Sequence, residues 1–161
     1  MKHLSIDIET YSSVNLRKAG LFSYAEARDF QIMMLAYAYD DEPGQILDLM
    51  AGDLFPPDIL YDLTNPAVIK HAYNAPFEWY CLARHFNMTD DQAVRWLPQW
   101  RCTMLHGLYC GYTAGLDVTG DALGLDSDKK KLKAGKDLIK RFCVPTKPSK
   151  ANGMRTRTLP Q

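Results

Sequence analysis

The stretch Leu4-Ser5-Ile6-Asp7-Ile8-Glu9-Thr10 decides the fold, because it predicts a strand that carries two acids on one face. Aliphatic and polar residues alternate along it, so the aliphatic side chains point into a core while Asp7 and Glu9 point the other way. Residues i and i+2 of a strand lie roughly 6.6 Å apart, so the two carboxylates can converge on divalent ions held about 3.5 to 4 Å apart. For a single Asp-x-Glu, the alternative is an edge strand whose polar face happens to be acidic.

Length and composition predict one globular domain. The chain has 161 residues, of which 47% are hydrophobic and 11% aromatic, which is enough for a buried core and argues against wholesale disorder. No apolar run approaches the roughly 20 residues that span a bilayer, and the N-terminus lacks the layout of a signal peptide. We therefore expect a single cytosolic domain.

The cysteines and histidines show no spacing that is typical of a zinc site or a disulfide framework. We expect the cysteines to be small, partly buried residues in a reducing compartment, and the histidines to be structural. These residues are Cys81, Cys102, Cys110, Cys143, His3, His71, His85 and His106.

The net charge of zero hides a division along the chain. From Lys129 onward there are 11 Lys and Arg and one acid, Asp137, a net charge of +10, whereas residues 1–128 hold 8 Lys and Arg and 18 acids, a net charge of −10. An acidic body with a basic C-terminal third is typical of a metal-dependent enzyme that acts on a polyanion. It is equally compatible with a solvated basic tail.

The first half of the chain predicts an antiparallel meander. Residues 16–28 indicate a loop with a short helical piece, and the apolar run at 30–39 predicts a strand that is covered on both faces. After a turn at residues 40–44, residues 45–50 predict its hairpin partner. Residues 53–63 then predict a helix with prolines in its first turn.

A second motif follows the strand that is predicted at residues 66–73. In Asn74-Ala75-Pro76-Phe77-Glu78, Pro76 suits the first turn of a helix, and Asn74 and Glu78 are four residues apart and can project together. Alternatively, Glu78 only complements the positive end of the helix dipole, and Asn74 is an ordinary N-cap.

The remaining residues predict short elements and one basic helix. Residues 96–100 indicate a rigid apolar connector, Thr103–Tyr109 a short helix, and residues 119–125 another. Residues 129–142 carry apolar side chains at helical spacing with lysines between them, so they predict an amphipathic helix with a basic outer face.

The first motif, Asp7-Ile8-Glu9-Thr10, and the second, Asn74-x-x-x-Glu78, resemble the first two motifs of DEDD-type 3′→5′ exonucleases, which have the ribonuclease H-like fold. More specifically, the chain resembles the proofreading exonuclease domain of family A (polymerase I-like) DNA polymerases from phages and prophages. Other landmarks follow the order of that family, namely Tyr24-Ala25, Cys102-Thr103-Met104, Gly135-Lys136-Asp137-Leu138-Ile139 and Asn152-Gly153-Met154-Arg155.

The resemblance implies an α/β domain with a mixed β-sheet flanked by α-helices. It implies that Asp7, Glu9 and Glu78 hold two divalent ions, Mg²⁺ or Mn²⁺, which hydrolyse the terminal phosphodiester at a single-stranded DNA 3′ end. Thr10 and Asn74 would contact or frame the terminal nucleotide, with Phe77 packed beneath the site, and a polymerase domain in the parent protein is implied as a partner.

Two further groups are candidates for substrate contacts. Among the aromatic residues near the motifs, Tyr11 is the one that we expect to stack on a terminal base. The lysines of the basic helix are candidates for contacts with the nucleic-acid backbone, namely Lys129, Lys130, Lys131, Lys133 and Lys136.

The chain departs from the family pattern in two places. Glu78 stands where the wider class has Asp and reaches about 1.5 Å further, which the placement of its helix can absorb. The third motif, Tyr-x-x-x-Asp, is missing, because Tyr112 and Asp117 have the wrong spacing and Tyr37 and Asp41 precede the second motif.

We therefore expect a single exonuclease-like domain over residues 1–161 that is incomplete at its C-terminus, with weakened metal binding and poor or absent activity by itself. Two alternatives stay open. One is a nucleic-acid-binding module of the same fold that lacks catalysis, and the other is an RNA-trimming exonuclease.

Overall fold

The computed structural model describes residues 2–113, 115–126 and 133–145, and five strands in this part of the chain form one mixed sheet in the order β3-β2-β1-β4-β5. β1 pairs antiparallel with β2 and parallel with β4, while β3 extends the antiparallel side and β5 the parallel side. The predicted antiparallel meander is confirmed. The strands are β1 Lys2–Tyr11, β2 Gln31–Tyr39, β3 Gln45–Asp48, β4 Val68–Ala72 and β5 Trp100–Cys102.

Helices flank this sheet, which confirms the predicted α/β class. They are α1 Leu16–Ala25, α2 Pro57–Thr64, α3 Pro76–His85, α4 Asp90–Trp96, α5 Thr103–Tyr109, α6 Leu116–Ala122 and α7 Lys133–Phe142. The predicted helix over Thr103–Tyr109 is confirmed, and α6 begins three residues before the predicted start at Thr119. The basic helix is confirmed over Lys133–Phe142, whereas residues 127–132 lie outside the described part of the chain.

Two sequence predictions are corrected. Residues 16–28 are mostly helical, and α1 passes through a kink at Gly20, whose φ of 83° favours glycine. The segment at 96–100 is more than a connector, because Leu97–Gln99 forms a 3-10 turn and Trp100 begins β5. A strand of three residues is too short for a period-two pattern, so only its pairing with β4 reveals it.

The core lies on the aliphatic face of β1. Leu4, Ile6 and Ile8 are between 0% and 5% exposed, whereas Asp7 is exposed on the other face, as the alternation predicts. Helix α3 contacts β1 and β2, and α2 contacts β4. Each buried aliphatic side chain stabilises the fold by about 1.5 to 3 kcal/mol. The packing of β1 against α3 therefore fixes the position of the strand that carries the acids.

A fully buried lysine joins the second half of the sheet to the 3-10 turn. The Lys70 Nζ donates to the carbonyl oxygens of Asn65 and Val68 at 2.7 and 3.0 Å and to Gln99 Oε1 at 2.6 Å. Burial lowers the pKa of Lys70 to about 8. At neutral pH the side chain is therefore a buried cation whose three donors all have acceptors.

The cysteines differ in burial, since Cys81 is buried, Cys102 and Cys143 are half-buried and Cys110 is exposed. All four cysteines are described residues and they form no disulfide, and His3 Nδ1 shares a hydrogen bond of 2.8 Å with His71 Nε2. Within the described ranges, no helix has the length and apolar character that crossing a membrane requires.

Candidate functional site

The two acids of the first motif lie at the carboxyl end of β1. The last residue of β1 that pairs with β4 is Ser5, which pairs with His71, and β4 ends one residue later. Asp7 and Glu9 therefore lie beyond the part of β1 that is covered by β4. On the other side they remain paired with β2. In open α/β sheets, the crevice outside the carboxyl ends of the strands is where ligands bind.

The chain turns sharply from β4 into α3 and thereby delivers the second motif to the same edge. Asn74 adopts a φ of 73°, a left-handed conformation that asparagine tolerates, and its carbonyl oxygen accepts from the Phe77 N–H at 2.9 Å. Pro76 starts the helix, and Glu78 lies in its first turn. Ala75 is the N-cap residue and no side chain caps the helix, so Asn74 does not take the ordinary N-cap role.

Glu78 is a buried carboxylic acid beside Asp7. Its side chain is 3% exposed, and its Oε2 atom has no hydrogen-bond partner among the described residues. Burial and the nearby charge of Asp7 raise the pKa of Glu78 to about 8, against a lowering effect of its own backbone N–H. An unsatisfied buried oxygen costs about 1 to 3 kcal/mol, and a bound cation would offset that cost.

Glu9 is held from the far end of the described chain. Its Oε2 accepts a hydrogen bond of 3.5 Å from the Sγ of Cys143, which follows α7 and is 134 residues away in the sequence. The end of the basic helix therefore lies against the first motif. Sequence reasoning missed this contact, because the cysteine spacing carries no signal for it.

The strand is irregular immediately after Glu9. The register between β1 and β2 shifts at Glu9 and Thr10, which marks a bulge. Thr10 is buried, and its hydroxyl shares a hydrogen bond of 2.9 Å with the hydroxyl of Tyr24. The Thr10 hydroxyl thus has a partner inside the protein, and its contact with a terminal nucleotide stays a prediction.

Tyr24 contacts both motifs, through Thr10 of the first and Phe77 of the second. Its ring centroid lies 6.2 Å from that of Phe77 and 5.9 Å from that of Phe30. Phe77 is half-buried and packs against the core, and its position beneath the site stays a prediction. Burial raises the pKa of Tyr24 to about 12, so its hydroxyl stays protonated.

The predicted stacking role of Tyr11 is wrong for this arrangement. Tyr11 is 3% exposed and belongs to the core, whereas a stacking platform needs an open ring face. The alternation of β1 continues to Thr10, which is buried like Ile8, and Tyr11 departs from it because it is buried as well.

The structure brings Asp7 and Glu78 together at one edge of the sheet, with Glu9 on the same strand as Asp7. Within residues 2–113, 115–126 and 133–145, no group of three or more His, Cys, Asp or Glu side chains forms a cluster that could hold a metal ion. The assignment of metal ligands therefore stays a prediction. Of the candidate lysines, Lys133 and Lys136 lie in α7, and Lys129, Lys130 and Lys131 lie outside the described residues.

Comparison with known proteins points to a phage polymerase. No protein-family model matches the chain. Over all 161 residues it is 52% identical to a DNA polymerase of Bacillus phage SP02, at the N-terminal part of that protein. The chain is thus similar to part of a DNA polymerase. It spans 24% of the length of that polymerase.

Two solved structures share the fold. One, described as the apo form of the nuclease, has a TM-score of 0.53 at 19% identity over 83% of this chain and 56% of its own. The other, described as the yeast NOT1 MIF4G domain co-crystallized with CAF1, has a TM-score of 0.51 at 12% identity over 78% of this chain and 69% of its own. This likeness concerns the fold alone, and it is consistent with a ribonuclease H-like architecture.

Proposed function

We propose that the chain is a metal-dependent 3′→5′ exonuclease domain, the proofreading part of a phage-type family A DNA polymerase, which hydrolyses the terminal phosphodiester of DNA. The observation that carries this proposal is the buried Glu78 carboxyl, whose Oε2 has no partner among the described residues and which lies beside Asp7. A buried carboxylate oxygen without a hydrogen-bond partner, next to a second acid, is compatible with a cation site. The 52% identity to a phage DNA polymerase supports the proposal.

The residue types of the proposed site are those that hard divalent cations prefer. Carboxylate oxygens are the ligands that Mg²⁺ and Mn²⁺ prefer, and Asp7, Glu9 and Glu78 would supply them. When bound, such ions supply Lewis acidity at the scissile phosphate and a water of lowered pKa.

The remaining residues of the site would bind and orient the substrate. Asn74 and Thr10 would frame the terminal nucleotide, and α7, whose end reaches Glu9, would bring its lysines towards the nucleic-acid backbone. Phe77 would support the site from beneath. The partners are therefore a single-stranded 3′ end and, in the parent protein, a polymerase domain.

A denaturing-gel time course of 5′-labelled single-stranded DNA with Mg²⁺ or Mn²⁺ tests the proposal. The samples are the native chain, its Asp7→Ala variant, a matched Asp41→Ala variant at an exposed turn residue, and a longer chain that includes the family's third motif. We expect a full ladder of shortened products from the longer chain and at most a weak one from the native chain, which Asp7→Ala abolishes and Asp41→Ala preserves. Equal ladders from the native chain and Asp7→Ala would contradict catalysis at this site.

A second candidate is a nucleic-acid-binding module without catalysis. It is favoured by the absence, within the described ranges, of a cluster of three ligands that could hold a metal ion. Its signature is DNA affinity that falls steeply with salt and is unaffected by Asp7→Ala, with no products from the longer chain. RNA of the same sequence, run in parallel, tests the RNA-trimming alternative, because only contacts to the 2′ position distinguish the two sugars.

A further inference from the structure

We infer that Tyr24 is a positioning residue of the proposed site, holding the irregular strand end that carries Glu9 against the helix that carries Glu78. The inference rests on the proposed function, which it deepens by naming a residue that acts through the metal ligands rather than on the substrate.

The first contact is with the strand. Tyr24 and Thr10 are each 5% exposed, and their hydroxyls lie 2.9 Å apart. Thr10 is the residue immediately after Glu9, at the bulge where β1 and β2 lose register. The extra residue of this bulge is Met33, which lies on β2 between the partners of Glu9 and Thr10. The hydrogen bond between Tyr24 and Thr10 therefore fixes β1 next to Glu9, where the ladder to β2 is interrupted.

The second contact is with the helix. The Tyr24 ring lies 6.2 Å, centroid to centroid, from the ring of Phe77, which directly precedes Glu78 in the first turn of α3. Tyr24 itself lies in the last turn of α1, and α1 packs against α3. One buried side chain therefore touches the neighbours of two proposed ligands that are 69 positions apart in the sequence.

The aromatic ring and the hydroxyl of Tyr24 make different contacts, which substitutions can separate. The ring fills space between Phe77 and Phe30, as any buried aromatic side chain would. The hydroxyl makes the link to Thr10, so replacing it by hydrogen retains the packing and removes only the link. The effect expected from Tyr24→Phe is thus weaker metal binding in a chain that still folds.

Titration with Mn²⁺, by calorimetry and by the electron paramagnetic resonance spectrum of the bound ion, measures that effect directly. The matched control is Tyr37→Phe, since Tyr37 is also buried, at 7% exposure, and its hydroxyl donates to Gln45 Oε1 at 2.9 Å in the β2–β3 hairpin. Removing a residue that supports a metal ligand typically costs about 10- to 100-fold in metal affinity. We expect about a 10-fold loss for Tyr24→Phe and none for Tyr37→Phe.

A double-mutant cycle tests the same link from its other end. Thr10→Val removes the partner hydroxyl, so we expect it to weaken Mn²⁺ binding as Tyr24→Phe does, and the double variant to lose no more than either single one. If Tyr24→Phe does not fold, Thr10→Val still tests the link. Unfolding midpoints in chelator show whether each variant is folded.

The outcomes separate the two proposals. If Asp7→Ala abolishes Mn²⁺ binding while Tyr24→Phe and Thr10→Val bind as tightly as the native chain, the role of Tyr24 is overturned and the proposed function stands. If the native chain binds no Mn²⁺, or Asp7→Ala binds it equally well, the metal site itself is wrong and the inference falls with it.

Discussion

At the scale of single residues, Glu78 is stabilising only when it carries a proton or a cation. Its pKa of about 8 in the folded chain lies above its ordinary value of 4.5. Between these pH values the folded chain retains a proton that the unfolded chain has lost. The contribution of Glu78 is therefore fully present below about pH 4.5 and is lost as the pH rises to about 8.

Glu78→Gln should therefore stabilise the metal-free chain. A neutral amide avoids the cost of burying the carboxylate, and we expect a gain in the free energy of unfolding of about 4 kcal/mol at pH 8 and little at pH 4.5. Urea unfolding in chelator at both pH values, with Glu42→Gln at an exposed turn as the control, measures it. A gain that is the same at both pH values would contradict the assignment.

At the scale of elements, the 3-10 turn before β5 depends on the buried cation of Lys70. The carbonyl of the Gln99 amide accepts from Lys70 Nζ at 2.6 Å, and hydrogen bonds to charged groups contribute about 1.5 to 3 kcal/mol. This contact joins the last strand of the sheet to the strand that leads into the second motif.

Gln99→Ala should lower the free energy of unfolding by about 1.5 to 3 kcal/mol at pH 7, because it leaves one Lys70 donor without its acceptor. Gln99→Glu retains an acceptor of similar length and adds an opposite charge, so it should cost much less. Urea unfolding of the two variants under identical conditions provides the comparison. Equal losses for both would mean that the turn depends on side-chain packing rather than on this hydrogen bond.

At the scale of the whole molecule, residues 1–128 have a net charge of −10 and residues 129–161 a net charge of +10, and we propose that the basic residues contact the phosphates of the nucleic acid. Each contact between a lysine and a single-strand phosphate steepens the dependence of log K on log salt by about 0.7. Lys130→Gln with Lys131→Gln should therefore reduce that slope by about 1.4.

Fluorescence anisotropy of labelled single-stranded DNA over a salt series measures this slope, in chelator so that no cleavage intervenes. The control pair is Arg17→Gln with Lys18→Gln, which removes the same charge from exposed positions of α1. If both pairs of substitutions change the slope equally, DNA binding depends on the net charge of the chain, and the lysines at residues 129–142 do not contact phosphates preferentially.

Local patterns were enough to predict much of this fold. The alternation at residues 4–9 predicts which side chains of β1 are buried, and Pro76 predicts where α3 begins, because both depend on backbone geometry within a few residues. The placement of Asp7 and Glu9 on the face away from the core follows from the same alternation.

Tertiary structure decided the surroundings of those acids. The sequence by itself determined that β1 carries Asp7 and Glu9 and that a helix follows β4, since a strand or helix period is a local property. The burial of Tyr11, the Tyr24 link to Thr10 and the Cys143 contact with Glu9 depend on contacts between residues up to 134 positions apart. Tertiary packing determines which of these residues come into contact, because the backbone preferences of a short segment carry no information about contacts with distant residues.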